Sequence, residues 1–251
     1  MPSDYPLFPL DDSHYPFPHM YVDLVVLTIR DGAMQVLVRR EGDEVYGSRY
    51  ILPGAFVHER KSLEWTAAKI AKSKAMLDDV ELEPLQCFSK PDRDSRAWVV
   101  SFPWLVLVLP HELRPVVDML PERHLMVVKI DPFCKAANLW LGPNQMRVGL
   151  DHAEIISAAV THLCDGLDWS LLPFRLLPEV FSLRQLQQVH EAILGYPIDK
   201  ATLRKRMLAR TFADGRRLIA TGEMERGSHR PATLFRVGYE YDDWAVASAA
   251  S

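Results

Sequence analysis

The residues with the clearest chemistry form a basic cluster in the sequence "DKATLRKRMLAR". Asp199 is suited to cap a helix, and no acidic residue follows it before Arg210. Arginine can donate paired hydrogen bonds to base edges in the DNA major groove, and any Lys or Arg can neutralise a phosphate. We interpret the segment as a DNA-reading helix, with a solvated charged face as the alternative. The expected contacts are Lys200, Thr202, Arg204, Lys205 and Arg206, of which Thr202 and Arg204 read bases and Lys205 and Arg206 bind phosphates.

A second helix and two short strands flank this segment. Ser182 and Gln185 form a capping-box pattern, and an apolar stripe then runs to Gly195, a residue type that often ends a helix. The runs "RRLIATGE" and "PATLFRV" are β-rich and are joined by the polar loop "MERGSHR". Together these elements predict a winged helix-turn-helix. In the wing, His229 and Arg230 are expected to contact the minor groove or phosphates.

Charge is distributed unevenly along the chain. The formal net charge is -4, yet the stretch from Ser182 to Arg236 holds eleven Lys and Arg against five Asp and Glu, or +6. The sequence therefore predicts an acidic body joined to a basic module. Three widely spaced cysteines without a Cys-x-x-Cys pattern favour neither a disulfide framework nor a zinc site, and they fit the cytoplasm. The N-terminus lacks a secretory-signal pattern, and no apolar run is long enough for a membrane span.

Residues 21–165 are predicted to form a mixed sheet flanked by helices. Two β-rich runs around the turn "RDGA" indicate a hairpin, and a helix begins after Ser62. The run "AWVVSFPWLVLVL" indicates another strand, and Asp151 to Cys164 a further helix. The expected boundaries are an extended arm at 1–20, the sheet domain at 21–165, a linker at 166–180, the winged helix at 181–240 and a tail at 241–251.

Four arginines of the sheet domain form a second candidate site: Arg39 and Arg40 at a strand end, and Arg93 and Arg96 in the loop "PDRDSR". Guanidinium groups can hold a diphosphate by charge-assisted hydrogen bonds, although these residues could equally be solvated surface charges. Tyr50, Trp98 and Trp104 could stack on a base or ribose, but aromatic residues beside strands more often belong to the core. His152 and His162 are expected to be ordinary helix residues.

The chain resembles the NrtR family, Nudix-related transcriptional regulators that join a Nudix-fold ligand sensor to a C-terminal winged helix. The resemblance rests on "DRDSRAWVVSFPWLVLV", "DHAEIISAAV", "FSLRQLQQVHEAILGYPIDKATLRKRML" and "ATGEMERGSHRPATLFRV". It implies an α/β Nudix-fold sensor domain plus a C-terminal winged helix-turn-helix domain. It also implies regulation of NAD metabolism or sugar use, with ADP-ribose or a related nucleotide or sugar phosphate as effector. The family places its ligand between the elements that carry the four arginines.

The Nudix box, a loop and helix that hydrolyses nucleoside diphosphates linked to another group, maps onto "LPGAFVHERKSLEWTAAKIAKSKAML". Its first glycine falls on Ala55, its closing glycine on Met76 and its arginine on Lys69. Its carboxylate positions fall on Lys61, Ile70, Ser73 and Lys74. Hydrolysis needs several carboxylates on one helical face to hold magnesium. We therefore expect ligand sensing without catalysis, and neither a metal nor another cofactor.

Three hypotheses from different classes follow. The leading one is a ligand-responsive regulator that binds double-stranded operator DNA and a small-molecule effector. It is expected to be a repressor and a homodimer, because one winged helix reads few base pairs and two-fold operators pair with two-fold proteins. The alternative is a pyrophosphohydrolase of ADP-ribose-like substrates with a remodelled metal site. A third is a protein-binding module whose winged helix no longer contacts DNA, which the +6 charge argues against.

Overall fold

A computed structural model describes residues 17–42, 49–131, 136–225 and 231–239. The strands are β1 (His19–Arg30), β2 (Ala33–Glu41), β3 (Arg49–Ile51), β4 (Gly54–Phe56), β5 (Glu83–Pro84), β6 (Val99–Ser101), β7 (Trp104–Leu107), β8 (Arg123–Ile130), β9 (Ala137–Leu141), β10 (Asn144–Met146), β11 (Phe181–Ser182), β12 (Arg217–Glu225) and β13 (Ala232–Gly238). The α-helices are α1 (Leu63–Ala75), α2 (Pro110–Met119), α3 (His152–Gly166), α4 (Leu183–Leu194) and α5 (Lys200–Leu208). A 3-10 helix spans Leu172–Leu176.

Strands β1 to β10 form one mixed sheet around β1. Its main path is β10-β9-β8-β2-β1-β7-β5, with β3 paired to β2 and both β4 and β6 paired to β1. Strand β1 is antiparallel to β2 and parallel to β6 and β7, so the predicted mixed sheet is confirmed. The run from Val22 to Thr28 is buried without interruption because both sheet faces are covered. A charged residue, Asp23, lies within this run.

The predicted hairpin is confirmed, whereas one predicted strand is wrong in its extent. Strands β1 and β2 are joined by Asp31 and Gly32, both at positive φ (53° and 74°), as a type I′ turn requires. The run "AWVVSFPWLVLVL" contains two strands, β6 and β7, instead of one. Pro103 separates them because proline has no N–H to donate to a sheet.

Helix α1 carries the Nudix-box pattern and begins where the sequence predicts. The Ser62 hydroxyl accepts a hydrogen bond from the backbone N–H of Trp65 at 3.1 Å. Small or apolar residues, among them Ala67, Ile70 and Ala71, bury the inner face against β1. The helix ends at Met76, which adopts the left-handed conformation with φ 52°.

The C-terminal elements form the predicted winged helix-turn-helix. Ser182 and Gln185 form the capping box of α4, Gly195 ends that helix at φ 78°, and the Asp199 carboxylate accepts from Thr202 N–H at 2.7 Å to start α5. Strands β11, β13 and β12 form the second sheet, in that order. The expected wing contacts His229 and Arg230 lie outside the described residues.

The predicted linker at 166–180 is packed between the two halves of the molecule. Helix α3 extends to Gly166, and the following 3-10 helix buries Leu172 and Leu176 in the core that also contains Leu186 of α4. The sheet domain and the winged helix therefore share one continuous core, and the exact domain boundaries stay predictions. No helix among the described residues is long and apolar enough to cross a membrane.

Candidate functional sites

A cavity of about 420 Å³ opens in the sheet domain between the C-terminal end of α1, the loop before β6 and the N-terminal end of α3. Polar and charged side chains contribute much of its lining: Tyr21, Asp23, Glu41, Arg49, His58, Lys74, Arg93, Asp94, Arg96 and His152. Small-molecule sites commonly measure roughly 300–1,000 Å³. The cavity has the size and polarity to hold a charged small molecule.

A buried ion-pair cluster forms one wall of this cavity. Arg93 donates two hydrogen bonds to Asp151, at 2.8 and 2.7 Å, and approaches Asp23 at 3.4 Å. The Ser101 hydroxyl donates to the same Asp23 carboxylate at 2.6 Å. Burial by itself lowers the pKa of Arg93, but the hydrogen bonds and charge of Asp151 outweigh it and raise that pKa. Arg93 is thus a permanently charged residue whose guanidinium already holds carboxylates of the protein.

His152 lies beneath the same cavity, so the expectation that it is an ordinary helix residue is wrong. Its Nδ1 accepts a hydrogen bond from the backbone N–H of Leu52 at 2.9 Å, which places the proton of the neutral ring on Nε2. That Nε2 lies 3.4 Å from Asp23. Burial lowers the pKa of His152, so the ring stays neutral near pH 7.

The four predicted ligand-binding arginines occupy different places. Arg93 lines the cavity wall, and Arg96 lies at its rim with 64% of its side chain exposed, paired with Asp94 at 2.8 Å. Hydrogen bonds from Arg96 lower the pKa of Asp94 to about 2. Arg39 is not among the residues that line the cavity, but it pairs at 2.7 Å with Glu41, which does line it. Arg40 is exposed and does not line the cavity.

Sequence reasoning missed several lining residues, among them the aromatic ones. Of the aromatic residues it did consider, Trp104 is buried in the core and Tyr50 packs against the core, as favoured, whereas Trp98 is exposed. Arg49 lies at the cavity and binds Glu41 at 2.8 Å. The aromatic side chains that line it are Tyr21 and Phe56, which meet edge to face with 4.9 Å between ring centroids. Neither Tyr50, Trp98 nor Trp104 lines it. The available signal was Asp23, a carboxylate inside the otherwise apolar run "YVDLVVLTI".

The box positions on α1 carry replacement side chains with local roles. Lys61 and Lys69 lie over the ring of Trp65, at 4.7 and 5.0 Å from its centroid. Ile70 is buried in the core beneath the helix, and the Ser73 hydroxyl donates to the Lys69 carbonyl at 2.6 Å. Within the described parts of the chain, no group of three or more His, Cys, Asp or Glu side chains is arranged to hold a metal ion.

Of the residues at the carboxylate positions of the box, Lys74 is the one that lines the cavity. Its ammonium donates a hydrogen bond to the backbone carbonyl of Gly54 in β4. Burial lowers the pKa of Lys74, and the charges of Arg39 and Arg123 lower it further. Arg123 donates to the Lys74 backbone carbonyl at 3.0 Å, where a cation stabilises the C-terminal end of a helix.

Helix α5 presents a second candidate site of a different kind. Leu203 and Met207 bury its inner face, whereas Lys200, Thr202, Arg204 and Lys205 are exposed. Lys200, Arg204 and Lys205 form no ion pair with any residue of the described ranges. These charges are available to an external polyanion such as the DNA backbone.

Arg206 of this helix and Arg210, just beyond its end, are held by the connection after α3. Arg206 lies 3.3 Å from the Asp168 carboxylate, and Arg210 lies 3.6 Å from the same group. Arg206 is therefore already paired, although the sequence groups it with Lys205 as a phosphate contact. Its role in DNA binding stays a prediction.

Helical geometry refines the expected orientation of Arg204. At about 100° per residue, Lys205 points most directly away from buried Leu203 and Met207, whereas Arg204 lies nearer the inner edge. Arg204 and Lys200 line a groove of about 370 Å³ together with Arg184 of α4 and residues 231–233 and 235. Arg184 is a basic neighbour that the sequence gave no reason to single out, because it precedes the basic cluster by fifteen residues or more.

Comparison with known proteins shows which proteins combine two such domains. Residues 173–237 match a family model described as the NrtR DNA-binding winged helix domain. Over most of its length the chain is also similar in structure to Shewanella oneidensis NrtR in complex with a 27mer DNA, with a TM-score of 0.70 and 27% identity. That similarity covers 87% of this chain and 93% of the Shewanella chain. The chain thus carries an NrtR-type winged helix domain and resembles an NrtR protein over most of its length.

Two other proteins are similar to the chain over most of its length. The ADPR responsive transcriptional repressor NtrR of Acinetobacter baylyi is 25% identical over 233 residues, which are 92% of this chain and 86% of the relative. A MutT/nudix family protein from Enterococcus faecalis shares the fold, with a TM-score of 0.68 and 21% identity over 89% of this chain and 88% of that one. The predicted architecture, a Nudix-fold domain plus a C-terminal winged helix, is confirmed.

Proposed function

We propose that this protein is a repressor of the NrtR family that binds operator DNA through α5 and releases it when a small ligand occupies the cavity of the sheet domain. The observation that carries the proposal is that Lys200, Arg204 and Lys205 are exposed on α5 and have no counter-ion among the described residues. The DNA complex of the Shewanella relative supports the same use of the winged helix.

The proposed effector is ADP-ribose or a related nucleotide or sugar phosphate. The cavity volume of about 420 Å³ and its lining by Arg49, Lys74 and Arg96 suit a diphosphate flanked by polar groups. The Acinetobacter relative is named as ADPR-responsive, which supports this choice. The regulated genes are proposed to belong to NAD metabolism or sugar use.

The sensor is proposed to bind this ligand without hydrolysing it. The carboxylate positions of the box hold Lys61, Ile70, Ser73 and Lys74, none of which can ligate magnesium through a carboxylate. Lys74 also places a positive charge where a hydrolase needs a metal-binding anion. The competing proposal, a pyrophosphohydrolase with a remodelled metal site, requires metal-dependent release of AMP from ADP-ribose.

Fluorescence anisotropy on labelled promoter fragments tests the regulator. We expect tight binding to the operator, weaker binding to a scrambled duplex, and release on titration with ADP-ribose. A parallel assay with magnesium or manganese is expected to show no AMP. Equal affinity for operator and scrambled DNA would refute the operator proposal, and metal-dependent AMP release would establish the enzyme instead.

Sedimentation of the same protein tests the proposed homodimer. A two-fold operator calls for two winged helices in one particle. We therefore expect a dimer at micromolar concentration, with and without DNA. A monomer under both conditions would contradict the two-fold model.

A further inference from the structure

The side chain of Lys74 turns from the last turn of α1 into the cavity and meets a fixed backbone oxygen. Its ammonium donates to the carbonyl of Gly54, and the Gly54 backbone packs so tightly that a Cβ there would lie 2.8 Å from the Val22 carbonyl. The ammonium therefore meets a backbone oxygen of a tightly packed strand at the cavity wall.

Two cations, Arg39 and Arg123, and two carboxylates, Glu41 and Asp23, act on this ammonium. Arg39 and Arg123 are near enough to lower the pKa of Lys74, after the larger effect of burial. The neighbouring carboxylate of Glu41 already accepts from Arg39 at 2.7 Å and from Arg49 at 2.8 Å. A bound anion would relieve the repulsion among these cations.

The other carboxylate that acts on Lys74, Asp23, already has partners in the cavity wall. Asp23 accepts from Ser101 at 2.6 Å, lies 3.4 Å from Arg93 and is fully buried. It therefore belongs to the ion-pair cluster in the wall. The cavity next to Lys74 lacks a free protein counter-ion in the described part of the chain.

We infer that Lys74 takes the place of a divalent cation in this sensor and holds the diphosphate of the ligand directly, so that ligand binding needs no metal. An ammonium has three donors, and one of them is used on Gly54, which leaves two for phosphate oxygens. Its position beside a backbone carbonyl and the end of α1 is one where hard cations find oxygen ligands. The inference rests on the proposed function in that it presumes a diphosphate ligand in this cavity.

The exchange has a chemical consequence. A bound metal ion both neutralises phosphate charge and lowers the pKa of a coordinated water. An ammonium neutralises charge but coordinates no water for attack on phosphorus. Replacing the metal by Lys74 therefore preserves diphosphate binding while removing the means of hydrolysis, which is the combination that a sensor requires.

Calorimetric titration of the full chain tests the inference with two probes, ADP-ribose and inorganic pyrophosphate, each with EDTA or with magnesium. We expect ADP-ribose to bind equally well in both buffers, and pyrophosphate to bind more weakly but also without metal. Lys74→Met keeps most of the side-chain length and removes the charge, and it should weaken both ligands by about ten- to a hundred-fold. Lys74→Arg should retain more affinity than Lys74→Met because it keeps the charge.

Lys72→Met is the matched control. Lys72 lies two residues earlier on the same helix, outside the cavity, and pairs with Asp78 at 2.7 Å. Its loss should leave both affinities unchanged. Circular dichroism melting of each variant shows whether it folds. If Lys74→Met does not fold, Lys74→Arg still tests the role of Lys74, and the effect of EDTA on the unaltered protein still tests whether binding needs a metal.

Three results would overturn the inference: binding that requires magnesium, unchanged affinity in folded Lys74→Met, or no binding of either probe in either buffer. Anisotropy on promoter DNA with the same samples separates this failure from failure of the regulator. A protein that binds the operator but needs magnesium for its ligand refutes the role of Lys74 alone. A protein that binds ADP-ribose in EDTA through Lys74 but ignores operator DNA refutes the repressor alone.

Discussion

Helices α1 and α5 are both rich in basic residues, yet they use these residues in opposite ways. On α1, Lys69 lies over Trp65, Lys72 pairs with Asp78, and Lys74 turns inward to a backbone carbonyl. Each of these cations has a local partner. The charge of this helix is directed to its own surroundings and to the cavity at its end.

Three cations of helix α5 have no such partner among the described residues. Lys200, Arg204 and Lys205 are exposed and form no ion pair with described residues, whereas Arg206 pairs with Asp168. A cation that is already paired must lose one anion to gain another, so the free energy of the internal pair is subtracted from its contribution to DNA binding. The number of basic residues on a helix therefore says less about nucleic-acid binding than the number of them that lack an internal partner.

The buried Arg93 is the extreme case of an internally paired cation. Replacing it by Met should leave Asp23 and Asp151 buried without compensation and lower the free energy of unfolding by about 3–5 kcal/mol. Urea denaturation followed by circular dichroism measures the loss.

Arg96→Met is the control for this change. Arg96 pairs with Asp94 but is 64% exposed, so its loss should cost less than about 1 kcal/mol. Similar stability losses for both variants would show that burial does not distinguish these two pairs.

Helix boundaries were predictable because their signals are local. Ser62, Ser182 and Asp199 each accept a hydrogen bond from a backbone N–H three residues later, so the cap and its partner stand together in the sequence. The turn at Asp31 and Gly32 has the same property. The winged helix consists mostly of such local elements, and its order of helix, basic helix and ribbon was predicted for that reason.

The cavity could not be predicted in the same way because its contacts join distant segments. Arg93 meets Asp151 across 58 positions, and His152 accepts from Leu52 across 100 positions. The sequence marks such residues as charged or aromatic without indicating which of them meet. Mapping the Nudix box placed Lys74 at a carboxylate position, but only the folded chain shows its ammonium on the Gly54 carbonyl.

Arg204 and Arg206 provide an internal test on α5, because they are the same residue type two positions apart. Arg204→Ala should reduce operator affinity by about 1–3 kcal/mol and relax sequence preference if Arg204 reads a base. Arg206→Ala should change DNA affinity less, because Asp168 already holds that guanidinium at 3.3 Å. Anisotropy titrations against operator and scrambled DNA at several salt concentrations measure both.

Lys205→Ala completes this series. Lys205 points away from the buried face of α5, so its loss should weaken all sequences alike and reduce the salt slope by about one. A larger loss of operator affinity for Arg206→Ala than for Arg204→Ala would reverse the assignment drawn from the Asp168 pair.

The ends of the helices provide the finest test, because α1 and α4 both finish with a left-handed residue but differ in its type. Helix α4 has Gly195 at φ 78°, whereas α1 has Met76 at φ 52°, the position where the Nudix pattern has glycine. A non-glycine residue in this left-handed conformation costs roughly 1–2 kcal/mol relative to the right-handed conformation. Replacing it by glycine removes that cost, but the larger conformational entropy of glycine in the unfolded chain offsets part of the gain. Met76→Gly should therefore raise the free energy of unfolding by about 0.5–1 kcal/mol.

The neighbouring substitution Ala75→Gly separates a favourable cap from a general effect of glycine. Ala75 is buried within the right-handed part of α1, so glycine there should destabilise the protein by about 1 kcal/mol. Urea denaturation of both variants measures the two opposite shifts. If Met76→Gly also destabilised the protein, the Met76 side chain, 41% exposed, would have to contribute more by packing than its backbone conformation costs. Packing of the Met76 side chain would then compensate for the missing box glycine. In the same way, the bond of the Lys74 ammonium to the Gly54 carbonyl gives the residue at a box carboxylate position a local partner.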